Sequence, residues 1–294
     1  MPSPTPLPTY FIGHGGVSIL FKPGYGPVQH DLRQIGREIH QLRPEAIVVV
    51  SGHHQSETPG SVEVNLKEPT KVWHDLGPSW RTTFPHVFEY GYPHRSSRAL
   101  GDQVLQHLRD HGIGAEGVER DLDHGVWVPF KLMFPEGSPE ELIDVPILQI
   151  SSFAGEDYAA HVELGRVLAR LPGRILVIGS GMLCHNLRAT RESTDLTVVK
   201  AIESAALQIL ETSPQTTRGL TEGFLQLPQR ADWPLAHPTV EHVLPLYVTL
   251  GAGKEIQSAE GKEGLEEKEV ELWNRDRYIV GQSYLSFRLG RVST

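Results

Sequence analysis

The 294-residue sequence contains one cysteine, three methionines and no run of 18 apolar residues. A single thiol, Cys184, cannot close an internal disulfide and fits a reducing compartment, so a cytoplasmic location is expected. Without a long apolar run, no helix is expected to span a membrane. The opening Met1–Pro8 has proline at every second position and neither a basic nor an apolar stretch. It reads as a Pro-rich tail (1–8), not a signal peptide. The 27 Lys and Arg, set against 36 Asp and Glu for a net charge of −9, are nowhere dense enough to track a phosphate backbone. Nucleic acid is therefore excluded as the main partner. The Gly-rich FIGHGG stretch matches neither the dinucleotide nor the P-loop pattern, which leaves nucleotide binding unsupported.

What is present is the composition of a globular protein, 39% hydrophobic and 21% charged, long enough for one large core. Short apolar runs at Tyr10–Gly13, Ala46–Ser51, Val145–Ser151 and Arg174–Gly179 read as buried strands. Between them lie stripes of helical period: Leu32, Ile35, Ile39 and Leu42; Leu100, Val104 and Leu108; Leu164, Val167, Leu168 and Leu171. This alternation predicts an α/β fold in one domain spanning 1–294. Its central sheet is expected to be largely parallel, with a mixed sheet allowed, and to carry helices on both faces. Residues 254–271 carry seven Glu and three Lys, which predicts a charged surface segment.

The histidines carry the chemistry. Three of the four strands are followed within one to six residues by a histidine: His14 in FIGHGG, His53 in VVVSGHHQS and His185 in VIGSGMLCHN. Ligands in open α/β sheets bind outside the carboxyl ends of the strands, so side chains leaving those ends can converge. The surrounding glycines let the backbone turn and approach closely. His237 in AHPTVEH is a fourth candidate, with Pro238 suited to the first turn of a helix running toward Leu250. Imidazoles meeting at one cleft suit Zn or Fe(II). His107 and His111 lack the Glu of a zincin motif and read as solvated. Cys184 beside His185 is a poor nucleophile–base pair, because such partners usually meet only in the fold.

In order, FIGHGG, VVVSGHHQS, LDHGVWVPF, PILQIS, IGSGMLCHNL and HPTVEHVLPLYVTLGAG resemble the motifs of the DOPA 4,5-dioxygenase-like proteins. These belong to the class III extradiol dioxygenases, related to the catalytic subunit of protocatechuate 4,5-dioxygenase. The resemblance runs from Tyr10 to Leu289, closing on SYLSFRL. It implies one divalent metal held by His14, His53 and His237, with His185 as fourth ligand or acid/base and His124 facing the substrate. Family members often carry Trp where this chain has His54, which leaves open which of the two neighbours binds the metal. Glu241 stays open as an alternative third ligand.

The implied reaction joins O2 to a small catechol at Fe(II), with Zn(II) expected as the ion in purified protein. His185 is expected to carry a near-neutral pKa and move the phenolic proton, and His124 to stabilise developing charge. Trp127, Phe130 and Tyr92 could line a pocket, though packing is the commoner role of such rings. A zinc hydrolase and a non-catalytic binding protein are the alternatives. The expected partners are a small aromatic substrate and O2, and a homodimer is the default assembly.

Overall fold

The computed structural model describes residues 7–137, 143–187, 196–212, 217–253, 269–279 and 281–292. In chain order the first half comprises β1 (Thr9–Gly13), α1 (Gly26–Leu42), β2 (Ala46–Gln55), β3 (Ser61–Asn65), α2 (Ser79–Thr83), α3 (Arg98–Asp110), β4 (Gly114–Val118), α4 (His124–Met133) and β5 (Ile147–Ser152). There follow α5 (Tyr158–Leu168), β6 (Ile175–Gly181), β7 (Cys184–His185), α6 (Thr197–Thr212), α7 (Thr217–Gln226), α8 (Trp233–Ala236) and α9 (Leu244–Ala252). The chain closes with β8 (Val270–Trp273), β9 (Tyr278–Ile279), β10 (Gln282–Ser283) and β11 (Ser286–Leu289).

Eight strands form one sheet in the order β4-β3-β5-β2-β6-β1-β11-β8. Its centre, β5-β2-β6-β1, is wholly parallel, while β3 pairs antiparallel with β5 and β11 with both β1 and β8. The sheet is thus mixed at its flanks. Alternate residues of one strand serve opposite faces. Ile47 and Val49 of β2 pack with the stripe of α1 and with α4, whereas Ala46, Val48 and Val50 pack with α3, α5 and α9. Burial on both faces is why these strands read as unbroken apolar runs.

The α1 stripe is buried as its period predicts, and Arg43 ends the helix in the left-handed conformation at φ 48. Trp127, Phe130 and Tyr92 are core residues. The helix expected to start at Pro238 starts instead at Leu244, with Pro245 in its first turn. Most of the charged segment 254–271 lies outside the described residues, but Val270 and Glu271 belong to β8, paired with Leu289 and Arg288. Among the described residues no helix is long and apolar enough to cross a membrane.

Helices α5 and α9 cross at glycines. A Cβ on Gly251 would lie 1.8 Å from the Val162 carbonyl oxygen, and one on Gly165 2.0 Å from that of Val248. Gly251→Ala must push α9 away from α5, so it should lower stability by about 1–3 kcal/mol or more. Gly91→Ala, whose Cβ meets nothing within 4 Å, serves as the control. Thermal unfolding of the two variants reads the difference.

Candidate metal centre

The parallel strands deliver their carboxyl ends to one edge, and four of the five histidines singled out from the sequence gather there. His14 follows β1 and is tied to β6 by its backbone N–H, which donates to the Gly181 carbonyl at 3.0 Å. His53 lies near the end of β2. His185 ends the path out of β6 and pairs with Gln282 of β10, so the closing strands of the chain fix its place. His124 opens α4. The fifth, His237, belongs to none of the compact groups, although it is close enough for its charge to bear on His185 and for that of His242 to bear on it.

His242 takes the position expected of His237. His14, His53 and His242 offer ring nitrogens that all lie within 4.8 Å of one another, and the Nε2 atoms of His53 and His242 are 3.2 Å apart. His237 follows the short helix α8, its N–H donating to the Trp233 carbonyl, and its ring packs on Trp233 at 4.0 Å between centroids. Both of its ring nitrogens are buried without a hydrogen-bond partner. The cause is the later start of the helix: residues 237–243 form the approach to α9, so the residue two before that helix, not seven, reaches the strand ends. The seat of His242 is made of glycine backbone. A Cβ on Gly181 would lie 2.2 Å from the His242 carbonyl oxygen, and one on Gly52 3.1 Å from its Cα.

The His14 and His242 rings are each oriented by a partner on the Nδ1 side. Ser180 Oγ donates its one hydrogen to the Gly125 carbonyl and lies 3.1 Å from His14 Nδ1. It must therefore accept the Nδ1 proton, which leaves His14 Nε2 with a lone pair. His242 Nδ1 bonds Glu241 Oε1 at 2.9 Å, so its Nε2 is likewise unprotonated when the ring is neutral. Glu241 thus stands behind a histidine, although its carboxylate, His185 and His242 also form a compact group. His185 stacks on His242 at 3.6 Å.

Strand alternation separates His53 from His54. The His54 ring turns away from the cluster to Glu63 Oε2 at 2.8 Å and Gln149 Nε2 at 3.2 Å. Gln149 in turn donates to Asp123 Oδ2 at 2.6 Å, and Ser51 Oγ to Asp123 Oδ1 at 2.7 Å. Ser51 Oγ also accepts the His53 backbone N–H at 3.1 Å, so this buried lattice supports the strand from below. Burial lifts the Asp123 carboxyl to about 6, with the charge of Asp75 adding to it.

Burial also sets the protonation of the cluster. It lowers His14 and His53 well below the usual imidazole range, and neighbouring histidines push the same way. It lowers His242 too, against the opposing pull of Glu241. His185 falls to about 3, through burial and then His242, so the near-neutral value expected from the sequence is not found. Burial pushes the Glu241 carboxyl up, but the His242 hydrogen bond and further contacts outweigh it and bring it to about 2.

The donor set fits a divalent ion. Three neutral imidazoles face one point, and two ligands bonded at about 2.1 Å with angles of about 90–110° stand about 3.0–3.4 Å apart, which brackets the 3.2 Å between His53 and His242. The sequence reading passed over His242. The signal that could have found it is the run Val243–Leu250, apolar but for Thr249, which marks a buried helix beginning directly after it.

Comparison with known proteins places the chain in a family. Residues 10–274 match the family described as the catalytic LigB subunit of aromatic ring-opening dioxygenase. The chain is 31% identical over 257 residues to a 4,5-DOPA dioxygenase extradiol of Beta vulgaris, covering 86% of this chain and 89% of the relative. It is 29% identical over 255 residues to one of Escherichia coli K12, covering 85% and 86%. A crystal structure of an uncharacterized Escherichia coli K12 protein superposes with a TM-score of 0.65 at 23% identity, covering 97% of this chain and 100% of that one, and shares the fold. The hydrolase and binding-protein alternatives find no support in these matches. The chain belongs to the LigB family of aromatic ring-opening dioxygenases, among its DOPA-dioxygenase-like extradiol enzymes.

Proposed function

We propose that this enzyme opens the ring of a small catechol, DOPA-like or related, with O2, and that Fe(II) held by His14, His53 and His242 is its working metal. The observation that carries the reading is the convergence of three neutral imidazole nitrogens within 4.8 Å at the carboxyl edge of the sheet. The names of its relatives, 4,5-DOPA dioxygenases, support the substrate class. Fe(II), when bound, supplies a redox-active centre at which a catecholate and dioxygen can be held side by side. Zn(II) suits the same nitrogens and has no redox chemistry, so purified protein is expected to carry it in an inactive form.

The remaining histidines handle protons and charge. His185 is neutral at pH 7, because its conjugate acid is held down to about 3, and no hydrogen bond engages its ring among the described residues. Its lone pair can accept a hydrogen bond from a phenolic hydroxyl, and the negative charge of a bound catecholate would raise its proton affinity from that low value. His124 turns Nδ1 toward Asp75 and presents Nε2 to the substrate side, where it can hydrogen-bond the bound substrate. Packing of the His124 ring on His53 at 3.8 Å between centroids places it at the cluster's edge. A cytoplasmic setting fits the lone, buried thiol of Cys184.

Single alanine variants at His14, His53 and His242 should each empty the site, read as metal per chain by elemental mass spectrometry after dialysis. His237→Ala should retain its metal; if it loses the ion while His242→Ala keeps it, the ligand set is wrong. His185→Ala should keep the metal but lower kcat by about 10²–10⁴-fold. Apoprotein loaded anaerobically with Fe(II) should consume O2 with at least one member of a catechol panel that includes DOPA and protocatechuate, giving the absorbance of a ring-opened semialdehyde. Silence of the oxygen electrode across the whole panel would reject the catechol activity.

A further inference from the structure

We propose that Asp75 is a positioning residue of the ring-opening reaction, its carboxylate holding the His124 imidazole in place beside His53. The role assigned to His124 rests on the function proposed above. The placement of Asp75 does not. Its Oδ1 accepts the backbone N–H of His124 at 3.0 Å and lies 2.8 Å from His124 Nδ1, off the line of a hydrogen bond. Its Oδ2 lies 3.9 Å from His53 Nδ1. His124 Nδ1 is buried and has no other partner, and the only ion pairs of Asp75 among the described residues are with these two histidines.

Two features argue that this carboxylate is built in. First, Asp123 is the residue that should cap α4, but its side chain makes no capping bond, because its oxygens are taken by Ser51 and Gln149. Asp75, 49 residues away, supplies the acceptor at the helix start instead, where a negative charge is favoured. Second, the segment carrying Asp75 is pinned along the approach to α4. Trp73 N–H donates to the Leu122 carbonyl at 2.7 Å, Leu122 N–H to that of Lys71 at 2.9 Å, and Trp127 Nε1 to that of Trp73 at 3.1 Å. Arg120 lies over the Trp73 ring at 5.2 Å.

The carboxylate is therefore delivered to one point: the back of His124, with the edge of His53 within ion-pair range. An imidazole serves a substrate only when its ring is held facing it, and a carboxylate 2.8 Å behind Nδ1 holds the ring that way. Capping alone would need only the contact to the backbone N–H. The test must separate the two roles, and Asp75→Asn does so. Asparagine keeps an acceptor for the His124 N–H and caps about as well as aspartate, yet removes the charge facing Nδ1. Asp75→Ala removes both.

In Asp75→Asn, kcat with Fe(II) and the best catechol should fall about 10- to 100-fold, while KM, metal per chain and the unfolding temperature stay near those of the parent. Asp75→Ala should lose stability as well. A second readout does not depend on turnover. In zinc-loaded protein with ¹⁵N-labelled histidine, the ring resonances missing from His124→Gln identify His124, and those same signals should move in Asp75→Asn while the His14 and His242 signals hold. Unchanged His124 resonances, or an asparagine variant as active as the parent, would overturn the proposal. An asparagine variant with the parent's stability, activity and His124 resonances would make Asp75 a cap and nothing more. Should no catechol be turned over by the parent enzyme, the functional reading fails, but the spectra still decide where Asp75 acts.

Discussion

An imidazole nitrogen can bind a cation only when it carries no proton, and in this protein burial does most to ensure that. His14 and His242 are buried and His53 is half-buried at the edge of a sheet covered on both faces, and each ring is lowered in proton affinity chiefly by desolvation. Crowding reinforces it, since a positive charge on any one ring would face the others. The neutral state fixes what the Nδ1 partners must do. Ser180 and Glu241 each accept a proton, so the two lone pairs they leave behind point inward. The site is ordered by hydrogen bonds on its outside and left open at its centre.

That arrangement depends on close backbone approach, which explains the glycines. His242 can join the cluster only because the loop before α9 lies against Gly52 and Gly181 with no side chain between them. Gly125 does the same for α4: a Cβ there would come within 2.6 Å of Ser51 Oγ and 3.0 Å of His53 Cδ2. Helix α9 is in turn seated by Gly165 and Gly251 against α5, and by Gly179 of β6 against Pro245. A metal ligand, a helix and two strands thus share one set of contacts without Cβ atoms, and displacing the helix would displace the ligand.

The features legible in the sequence are those with a short period. The stripes of α1, α3 and α5 and the apolar runs of β1, β2, β5 and β6 were readable because each element repeats its own geometry along the chain. From them followed the parallel core and the edge at which His14, His53 and His185 leave the strands. The third member of the trio was not readable in the same way. His237 and His242 both precede a proline within three residues, so the proline alone does not tell which of them stands before α9, and the apolar run after His242 is what tells them apart. His53 and His54 are adjacent, so which one faces the cluster is a matter of strand register, visible once β2 is known to continue through both. Asp75 left no local trace, since its partner lies 49 residues on and the pairing of the two segments is tertiary.

The distribution of carboxylates bears on the chemistry itself. A site built from three neutral imidazoles leaves the full charge of a divalent ion to draw an anionic substrate, whereas a carboxylate ligand would cancel part of it. This chain places its acids one step back: Glu241 behind His242, and Asp75 behind His124 with His53 in range. From there they hold the rings in position and soften the local positive field without occupying a coordination position. On the proposed reading, a catechol would gain most from such a centre, since an ion held there would meet the charge it acquires and His185 stands beside the cluster.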